Sequence, residues 1–242
     1  MKVIWWLYTI YSAIVFVVLM LVLGPFIVIP LMLSPKGGQI SFIFIRLWAH
    51  LWSGLVGIKY KIHGREHLEP HQPYIYIFNH RSFIDAPVIP VAILQEVRAI
   101  GKKELSKIPV FGFIVSRVAV WVDRKDAHSR KISVEKLKKI LETGISIVVA
   151  PEGTRNDSPH LLLPFQKGAF RIALETGTPI MPMAIVGADS IMKRGSLLMK
   201  PGTISIFFGQ PILPEGPYCE SGYNYLADKS FEQMTAILSA QN

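Results

Sequence analysis

The chain begins with a long run of apolar positions. Residues 3–23 are apolar apart from Thr9 and Ser12, and the run resumes over residues 25–33. At about 1.5 Å per residue, the first stretch alone is long enough to cross a bilayer core of about 30 Å. A secretory signal peptide is not expected, because only Lys2 precedes the run as a basic residue and no A-x-A cleavage site follows it. The run is therefore predicted to be a retained membrane anchor.

A second apolar segment, rich in aromatic residues, covers residues 39–58. Residues 34–38 between the two segments read Ser-Pro-Lys-Gly-Gly, which is typical of a turn. Pro25 and Pro30 are expected to interrupt the first segment. The pattern thus predicts an N-terminal two-helix membrane anchor over residues 1–58. It leaves two geometries open: a helix that spans the bilayer, or a helical hairpin embedded in one leaflet.

Beyond residue 58 the pattern changes, and short β-branched and aromatic runs alternate with amphipathic segments. The runs are predicted to be strands, at residues 59–63, 74–78, 97–101, 118–122, 144–150, 180–186 and 203–208. The segments between and after them are predicted to be helices, at residues 86–94, 109–117, 127–142, 167–175 and 223–239. This alternation predicts an α/β fold over residues 59–242, with a largely parallel central sheet flanked by helices. Ligands of such sheets bind at the carboxyl ends of the strands.

The positive charge is concentrated near the apolar segments. Formal net charge is +9, and residues 1–61 contain five basic side chains and no acidic one, namely Lys2, Lys36, Arg46, Lys59 and Lys61. A basic and apolar N-terminal segment favours an anionic membrane surface over nucleic acid as its partner.

Several chemistries have no support in the sequence. Cys219 is the only cysteine, so an intrachain disulfide and a cysteine metal cluster are excluded, and no neighbouring histidine would activate it as a nucleophile. Residues 63–67 match the H-x-x-E-H pattern of some zinc peptidases, but Gly64 and Pro70 favour a strand followed by a turn, and no metal site is expected. The motifs G-x-S-x-G, G-x-G-x-x-G and the P-loop are absent, which argues against serine hydrolases, dinucleotide enzymes and nucleoside triphosphatases.

The clearest candidate chemistry follows the strand predicted at residues 74–78, where the chain reads Asn79-His80-Arg81-Ser82-Phe83-Ile84-Asp85. A histidine at a strand exit with a carboxylate one helical turn later suits general-base chemistry. Asp85 can accept the proton of one imidazole nitrogen and leave the other nitrogen of His80 free to take a substrate proton. Ser82 is predicted to be the N-cap of the next helix. A purely structural capping box between Ser82 and Asp85 is the alternative.

A second candidate segment follows the strand predicted at residues 144–150 and reads Pro151-Glu152-Gly153-Thr154-Arg155. Gly153 allows a tight turn with positive φ. Arg155 and the amides of this turn can bind a phosphate at the carboxyl end of the strand. Arg124, which follows the strand predicted at residues 118–122, adds a second arginine at that edge.

These segments resemble the motifs of the glycerolipid acyltransferase family, which includes 1-acylglycerol-3-phosphate acyltransferases. The resemblance covers about residues 59–210, in order. The matching residues are Asn79, His80 and Asp85 for N-H-x-x-x-x-D; Lys103, Glu104, Leu105, Pro109, Phe111, Gly112, Asp123 and Arg124 for a second block; Glu152, Gly153, Thr154 and Arg155 for E-G-T-R; and residues 179–182 for a proline-containing strand.

The resemblance implies a glycerol-3-phosphate acyltransferase-like fold and an acyltransferase activity. The implied reaction transfers an acyl group to the sn-2 hydroxyl of lysophosphatidic acid and gives phosphatidic acid, in phospholipid synthesis. The implied donor is acyl-CoA or acyl-carrier protein, with no other cofactor. His80 and Asp85 become the candidate catalytic pair. Substrate binding falls to Lys103, Arg124, Glu152, Gly153, Thr154 and Arg155.

The resemblance also implies a phospholipid bilayer as partner and a membrane location, expected to be a bacterial inner membrane with the catalytic domain on the cytoplasmic face. The basic residues over 125–139 would contact acidic carrier protein, CoA phosphates or anionic lipid, or they form a solvated helix face. Two alternatives stay open. The chain could acylate a different lysolipid, or it could be a catalytically silent, membrane-anchored lipid-binding module.

Overall fold

The centre of the molecule is a seven-stranded sheet. A computed structural model describes residues 2–34, 37–123, 125–216 and 218–241. The strands are β1 (Ile58–His63), β2 (Ile75–Phe78), β3 (Val97–Lys102), β4 (Ala119–Val122), β5 (Ser146–Val149), β6 (Ile180–Val186) and β7 (Gly202–Phe208). Each of them overlaps a strand predicted from the sequence, because buried strands read as short runs of β-branched and aromatic residues.

The sheet is largely parallel, as the sequence predicted. Its strand order is β1-β7-β6-β2-β5-β3-β4. The pairs that β2 forms with β5 and β6 are parallel, and so are the pairs that β3 forms with β4 and β5. Only the pair of β6 with β7 is antiparallel among the ladders of this sheet in the described residues. The carboxyl ends of β2 to β6 therefore meet at one edge, with β2 near the middle.

Helices cover both faces of the sheet. In chain order they are α1 (Lys2–Leu33), α2 (Gly37–Leu55), α3 (Asp85–Ala92), α4 (Phe111–Val115), α5 (Ala127–Glu142), α6 (Gly168–Thr176), α7 (Ala188–Ile191) and α8 (Glu220–Ser239). Tyr76 and Phe78 of β2 pack in one hydrophobic core with residues of α2 and α3. Ile75 and Ile77 point to the other face and pack with residues of α5, α6 and α8. Alternate residues of β2 thus join two separate cores.

The two N-terminal helices form a hairpin that lies on the first of these faces. α1 continues to Leu33 with Pro25 and Pro30 inside it, so the predicted interruption is wrong. α2 packs along the part of α1 that contains the prolines: the Phe26 ring stacks on the Phe44 ring at a centroid distance of 5.2 Å, and the Ser41 hydroxyl donates to the Ile27 carbonyl at 2.6 Å. Among the described residues, α1 is the one helix long and apolar enough to cross a membrane.

Candidate active site

His80 lies just beyond the carboxyl end of β2, the central strand of the sheet. Its Nδ1 lies 2.7 Å from Oδ2 of Asp85, and the two side chains are 25% and 1% exposed. The Nε2 atom makes no hydrogen bond to any residue that the structure describes. The carboxylate is therefore buried beside the imidazole, and the contact through Nδ1 leaves Nε2 of a partly exposed side chain available, as general-base chemistry requires.

The Asp85 carboxylate also shapes the loop that carries His80. Its Oδ2 accepts hydrogen bonds from the backbone N–H groups of Arg81 at 2.9 Å and Ser82 at 2.8 Å. The prediction of Ser82 as N-cap is wrong, because α3 begins at Asp85 and Ile84 precedes it. The Ser82 hydroxyl instead accepts from the Ile84 N–H at 3.2 Å and donates to the Met192 carbonyl at 2.7 Å.

The loop after β5 makes hydrogen bonds to both the N–H and the carbonyl of His80. Oε1 of Glu152 accepts from the His80 N–H at 2.8 Å, and the Asn156 N–H donates to the His80 carbonyl at 2.6 Å. Oε2 of Glu152 accepts from the Leu163 N–H at 2.8 Å. Gly153 has φ +71°, which confirms the predicted left-handed turn. The turn brings the carboxylate of Glu152 to the backbone N–H of His80.

Glu152 is placed differently from the substrate-binding role that the resemblance implied. It is 4% exposed, and both of its carboxylate oxygens accept from backbone amides. Burial raises the pKa of Glu152, while the hydrogen bonds from His80 and Leu163 oppose that rise. The side chain therefore holds the His80 loop against the β5 loop and offers no free oxygen to a ligand.

Asn79 fixes the end of β2 to β6. Its Nδ2 donates to the Ile185 carbonyl at 2.8 Å, and its Oδ1 accepts from the Ile185 N–H at 2.7 Å. Asn79 is 1% exposed. The amide side chain thus continues the parallel ladder where the backbone of β2 turns away to place His80.

The remaining predicted substrate-binding residues lie along the same edge. Thr154 is exposed on the β5 loop, and Arg155 next to it is partly exposed. Lys103 is exposed and begins a 3₁₀ turn directly after β3. Arg124 lies outside the described residues. The structure links the 152–155 segment to His80 through hydrogen bonds, whereas none of the hydrogen bonds or ion pairs of the described residues links Lys103 to His80.

A third loop, which sequence reasoning missed, closes the site from the side of β6. Nε of Arg81 donates to Oδ2 of Asp189 at 2.9 Å, which ties the His80 loop to α7. Farther along this loop, Nη1 of Arg194 donates to the carbonyl of Arg155. No local pattern marks Asp189 or Arg194, because their partners are remote in sequence and meet them only through the strand order.

Arg155 is partly buried and lies among charges of both signs. Partial burial, and then the charge of Arg194, lower the pKa of the Arg155 guanidinium, while Asp85 and Asp157 raise it. The guanidinium carbon lies 3.7 Å from the centroid of the Phe83 ring. The site therefore combines a buried carboxylate–histidine pair with a cationic side chain at its mouth, an arrangement suited to deprotonating a hydroxyl on a phosphate-bearing molecule.

Comparison with known proteins gives a consistent result. A family model described as Acyltransferase matches residues 59–186. A chloroplastic 1-acyl-sn-glycerol-3-phosphate acyltransferase of Brassica napus is 31% identical over 222 residues, which is 90% of this chain and 63% of the relative. A 1-acyl-sn-glycerol-3-phosphate acyltransferase of Limnanthes douglasii is 33% identical over 172 residues, which is 69% of this chain and 60% of the relative. The chain thus spans less than two thirds of the length of these relatives.

The fold has a close counterpart among solved structures. The crystal structure of the 1-acyl-sn-glycerophosphate acyltransferase from Thermotoga maritima superposes with a TM-score of 0.84 at 24% identity, covering 99% of this chain and 97% of that one. This similarity includes the N-terminal helices, because the superposition extends over nearly the whole chain.

Proposed function

Since the chain belongs to the Acyltransferase family, we propose that it transfers an acyl group from a thioester donor to the sn-2 hydroxyl of lysophosphatidic acid and produces phosphatidic acid. The observation that carries this proposal is the 2.7 Å contact between Nδ1 of His80 and Oδ2 of the buried Asp85, which leaves Nε2 of the partly exposed imidazole without a hydrogen bond to any described residue. The names of the relatives from Brassica and Limnanthes support the choice of acceptor.

His80 is the proposed general base. Asp85 accepts the Nδ1 proton, which fixes the tautomer in which Nε2 can take the proton of the acceptor hydroxyl. The resulting alkoxide attacks the thioester carbonyl, and the tetrahedral intermediate expels the thiolate. The imidazolium then returns the proton to the departing sulfur. Both reactants meet at one base, so the reaction needs no acyl-enzyme.

Substrate positioning is proposed for the residues around this pair. Arg155 binds the phosphate of the acceptor, and Thr154 lies in the same turn. Gly153 contributes through its left-handed conformation, because its N–H already donates to the Ala150 carbonyl at 3.1 Å. Arg124 and Lys103, at the carboxyl ends of neighbouring strands, are proposed to bind phosphates of the substrates as well. Glu152 acts indirectly, since its contact with the His80 amide positions the base.

Acyl-CoA or acyl-carrier protein is the proposed donor, and no additional cofactor is invoked. Exposed basic side chains on α5 support an acidic or phosphorylated donor at that side of the molecule. Lys131, Lys136 and Lys139 are exposed on this helix, whereas Lys138 is paired with Glu135 at 3.0 Å and with Glu175 at 2.6 Å. The charge of the helix is therefore only partly neutralised within the chain.

A membrane is the proposed site of the reaction, because the acceptor and the product are lipids. Apolar side chains are exposed on α1 every three or four residues, at Val3, Leu7, Ile10, Ile14, Val17, Leu21 and onward to Leu33. The opposite side of α1 packs on the α/β domain: Oγ1 of Thr9 accepts from the Met199 N–H at 2.9 Å, and Ile27 shares a core with Ile114. These contacts cover about 27 Å of helix axis.

Because α1 rests on the domain over most of a bilayer's thickness, a spanning orientation would draw the sheet into the hydrocarbon. We therefore propose that α1 and α2 lie in the plane of one leaflet, with the α/β domain on the cytoplasmic side where thioester donors are available. The bacterial inner membrane stays a prediction, since the relatives from Brassica and Limnanthes are plant proteins.

The proposal is tested by turnover of lysophosphatidic acid with acyl-CoA by the detergent-solubilised protein. We expect thiol release and phosphatidic acid formation with the wild type, and a rate lower by about 100- to 10,000-fold with His80→Ala. His128→Ala, which removes an exposed histidine of α5, serves as the control and should keep the wild-type rate.

Other outcomes discriminate between the alternatives. Wild-type activity in His80→Ala would contradict the mechanism. Product with acyl-carrier protein but not with acyl-CoA would identify the donor, and product only with another lysolipid would replace the acceptor. Failure with both donors and every lysolipid would favour a lipid-binding module, which the intact His80–Asp85 pair argues against.

A further inference from the structure

Arg194 lies directly beside Arg155, the residue proposed to bind the substrate phosphate. Its Nη1 donates to the carbonyl of Arg155 and lies 3.2 Å from Oδ1 of Asp157. No hydrogen bond to a described residue involves its Nε or Nη2. One side of this guanidinium is thus fixed by the protein, and three N–H donors remain for a ligand.

The guanidinium of Arg155 is held without any carboxylate partner. It stacks on the Phe83 ring at 3.7 Å, and its nitrogens form no hydrogen bond with the described residues. Stacking fixes the plane of the guanidinium and leaves its in-plane N–H donors open. Phe83 is 49% exposed, so the stacked pair lies at the mouth of the site.

Hydrogen bonds and one ion pair join the loops that carry the two arginines to the loop that carries His80. Glu152 and Asn156 tie the loop of Arg155 to the backbone of His80. The Arg81–Asp189 ion pair and the hydrogen bond from Ser82 to Met192 tie the loop of Arg194 to the His80 loop. A ligand bound by both arginines would therefore be placed at a defined distance from Nε2 of His80.

The two arginines repel each other, and the carboxylates near them are either screened or engaged elsewhere. The charge of Arg194 lowers the pKa of the Arg155 guanidinium, and Asp157, the carboxylate that pairs with Arg194 and opposes this effect, is 65% exposed and screened by solvent. Asp85 is already engaged by His80 and two backbone amides. Like charges at close range are unfavourable unless an anion joins them, and a phosphomonoester carries nearly two negative charges at neutral pH.

We propose that Arg155 and Arg194 together form a two-arginine clamp for the dianionic phosphomonoester of the acceptor, with Phe83 orienting the first arginine. This inference rests on the proposed function and narrows it. A phosphodiester headgroup carries a single negative charge and an extra substituent on the phosphate. The clamp therefore selects phosphomonoester lysolipids over phosphodiester ones, and Arg194 is the residue that sets this preference.

Binding in the absence of donor tests the clamp independently of turnover. A short-chain lysophosphatidic acid and a lysophosphatidylglycerol of the same acyl-chain length are titrated calorimetrically into the detergent-solubilised 242-residue chain. We expect Arg194→Gln to weaken binding of lysophosphatidic acid by about 10- to 100-fold, as Arg155→Gln does, and to weaken lysophosphatidylglycerol by less than about threefold. Lys193→Gln removes an exposed charge from the same loop and should leave both affinities unchanged.

Each possible result either supports or overturns the two-arginine clamp. Equal weakening of both lipids by Arg194→Gln would mean that the residue only supports the loop, and wild-type affinity in this variant would remove it from the site; either overturns the clamp. Absence of lysophosphatidic acid binding by the wild type would do the same. Turnover is measured in parallel. Binding with the expected selectivity but without turnover would support the clamp and contradict the acyltransferase function. Turnover that Arg194→Gln leaves unaltered would support the function and contradict the clamp.

Discussion

One carboxylate oxygen of Asp85 accepts three hydrogen bonds. Asp85 therefore positions the loop of His80 as well as pairing with the imidazole of the proposed base. Oδ2 accepts from the imidazole and from two consecutive backbone N–H groups, so the acid cannot swing away from His80 without breaking the loop. The ionised form suits all three donors. A buried carboxylate with this set of partners can stabilise the imidazolium that forms when His80 takes a proton.

Asp85→Asn separates shape from charge at this position. The amide has nearly the same size as the carboxylate, but only its oxygen accepts hydrogen bonds. If its NH₂ group lies where Oδ2 lies now, it can no longer accept the Nδ1 proton of His80, and the tautomer of His80 is no longer fixed. We expect kcat to fall by about 100- to 10,000-fold while KM for the acceptor changes by less than about threefold. Asp228→Asn, at an exposed carboxylate of α8, is the matched control for steady-state kinetics. A large rise of KM with normal kcat would show that Asp85 acts on acceptor binding instead.

At single residues, the sequence was informative where chemistry and local position coincide. His80, Asp85, Gly153 and Arg155 could be proposed as site residues from the sequence because each follows a strand whose end could be recognised. The partners of Glu152 could not be identified, since His80 and Leu163 come to it through the pairing of β2 with β5 and the path of the next loop. The same holds for Arg194, whose contact with Arg155 depends on the placement of β6 beside β2.

Among the secondary-structure elements, the carboxyl end of β2 is held to β6 by a side chain. The amide of Asn79 makes two hydrogen bonds to the backbone of Ile185, where backbone pairing between the two strands has ended. These bonds are buried, so their loss leaves a backbone N–H and a carbonyl without partners. The orientation of His80, which is the next residue, depends on this anchor.

Asn79→Ala should therefore lower both stability and activity. Two unsatisfied backbone groups cost about 2–4 kcal/mol, which corresponds to a Tm lower by about 5–15 °C for a chain of this size. Thermal unfolding in detergent measures the loss, with Asn224→Ala on the exposed side of α8 as the control. An unchanged Tm would mean that the buried groups of Ile185 find other partners.

Elements were predicted well where burial alone decides, and less well where tertiary contacts override local preference. Strands in a covered parallel sheet must be apolar on both faces, so their sequences are unambiguous. Proline was expected to end the first helix, yet α1 passes through two prolines because α2 packs along it. The helix predicted at residues 109–117 is reduced to α4, since Val110 adopts a φ of +62° and the chain turns there.

For the molecule as a whole, a hydrogen bond joins the proposed membrane helix α1 to the loop that carries Arg194. The Met199 N–H donates to Oγ1 of Thr9 on α1, and Met199 lies five residues after Arg194. Leu197 between them is 64% exposed, like the apolar residues of α1. The segment that contributes half of the proposed phosphate clamp therefore rests on the proposed membrane helix. Such an arrangement would set the depth of the clamp relative to the lipid headgroups.

The orientation of α1 decides whether this link can exist, and the single native cysteine makes it measurable. Cys219 is exposed on the α/β domain and reports the side on which that domain lies. Lys2→Cys and Ser34→Cys, each combined with Cys219→Ser, report the two ends of α1, both of which are exposed. In sealed vesicles treated with a membrane-impermeant maleimide, we expect all three positions to react from the same side, because a helix in the plane of one leaflet never crosses the bilayer. Reaction of positions 2 and 34 from opposite sides would instead establish a spanning helix, and the contacts of α1 with Met199 and Ile114 would then have to break in the membrane.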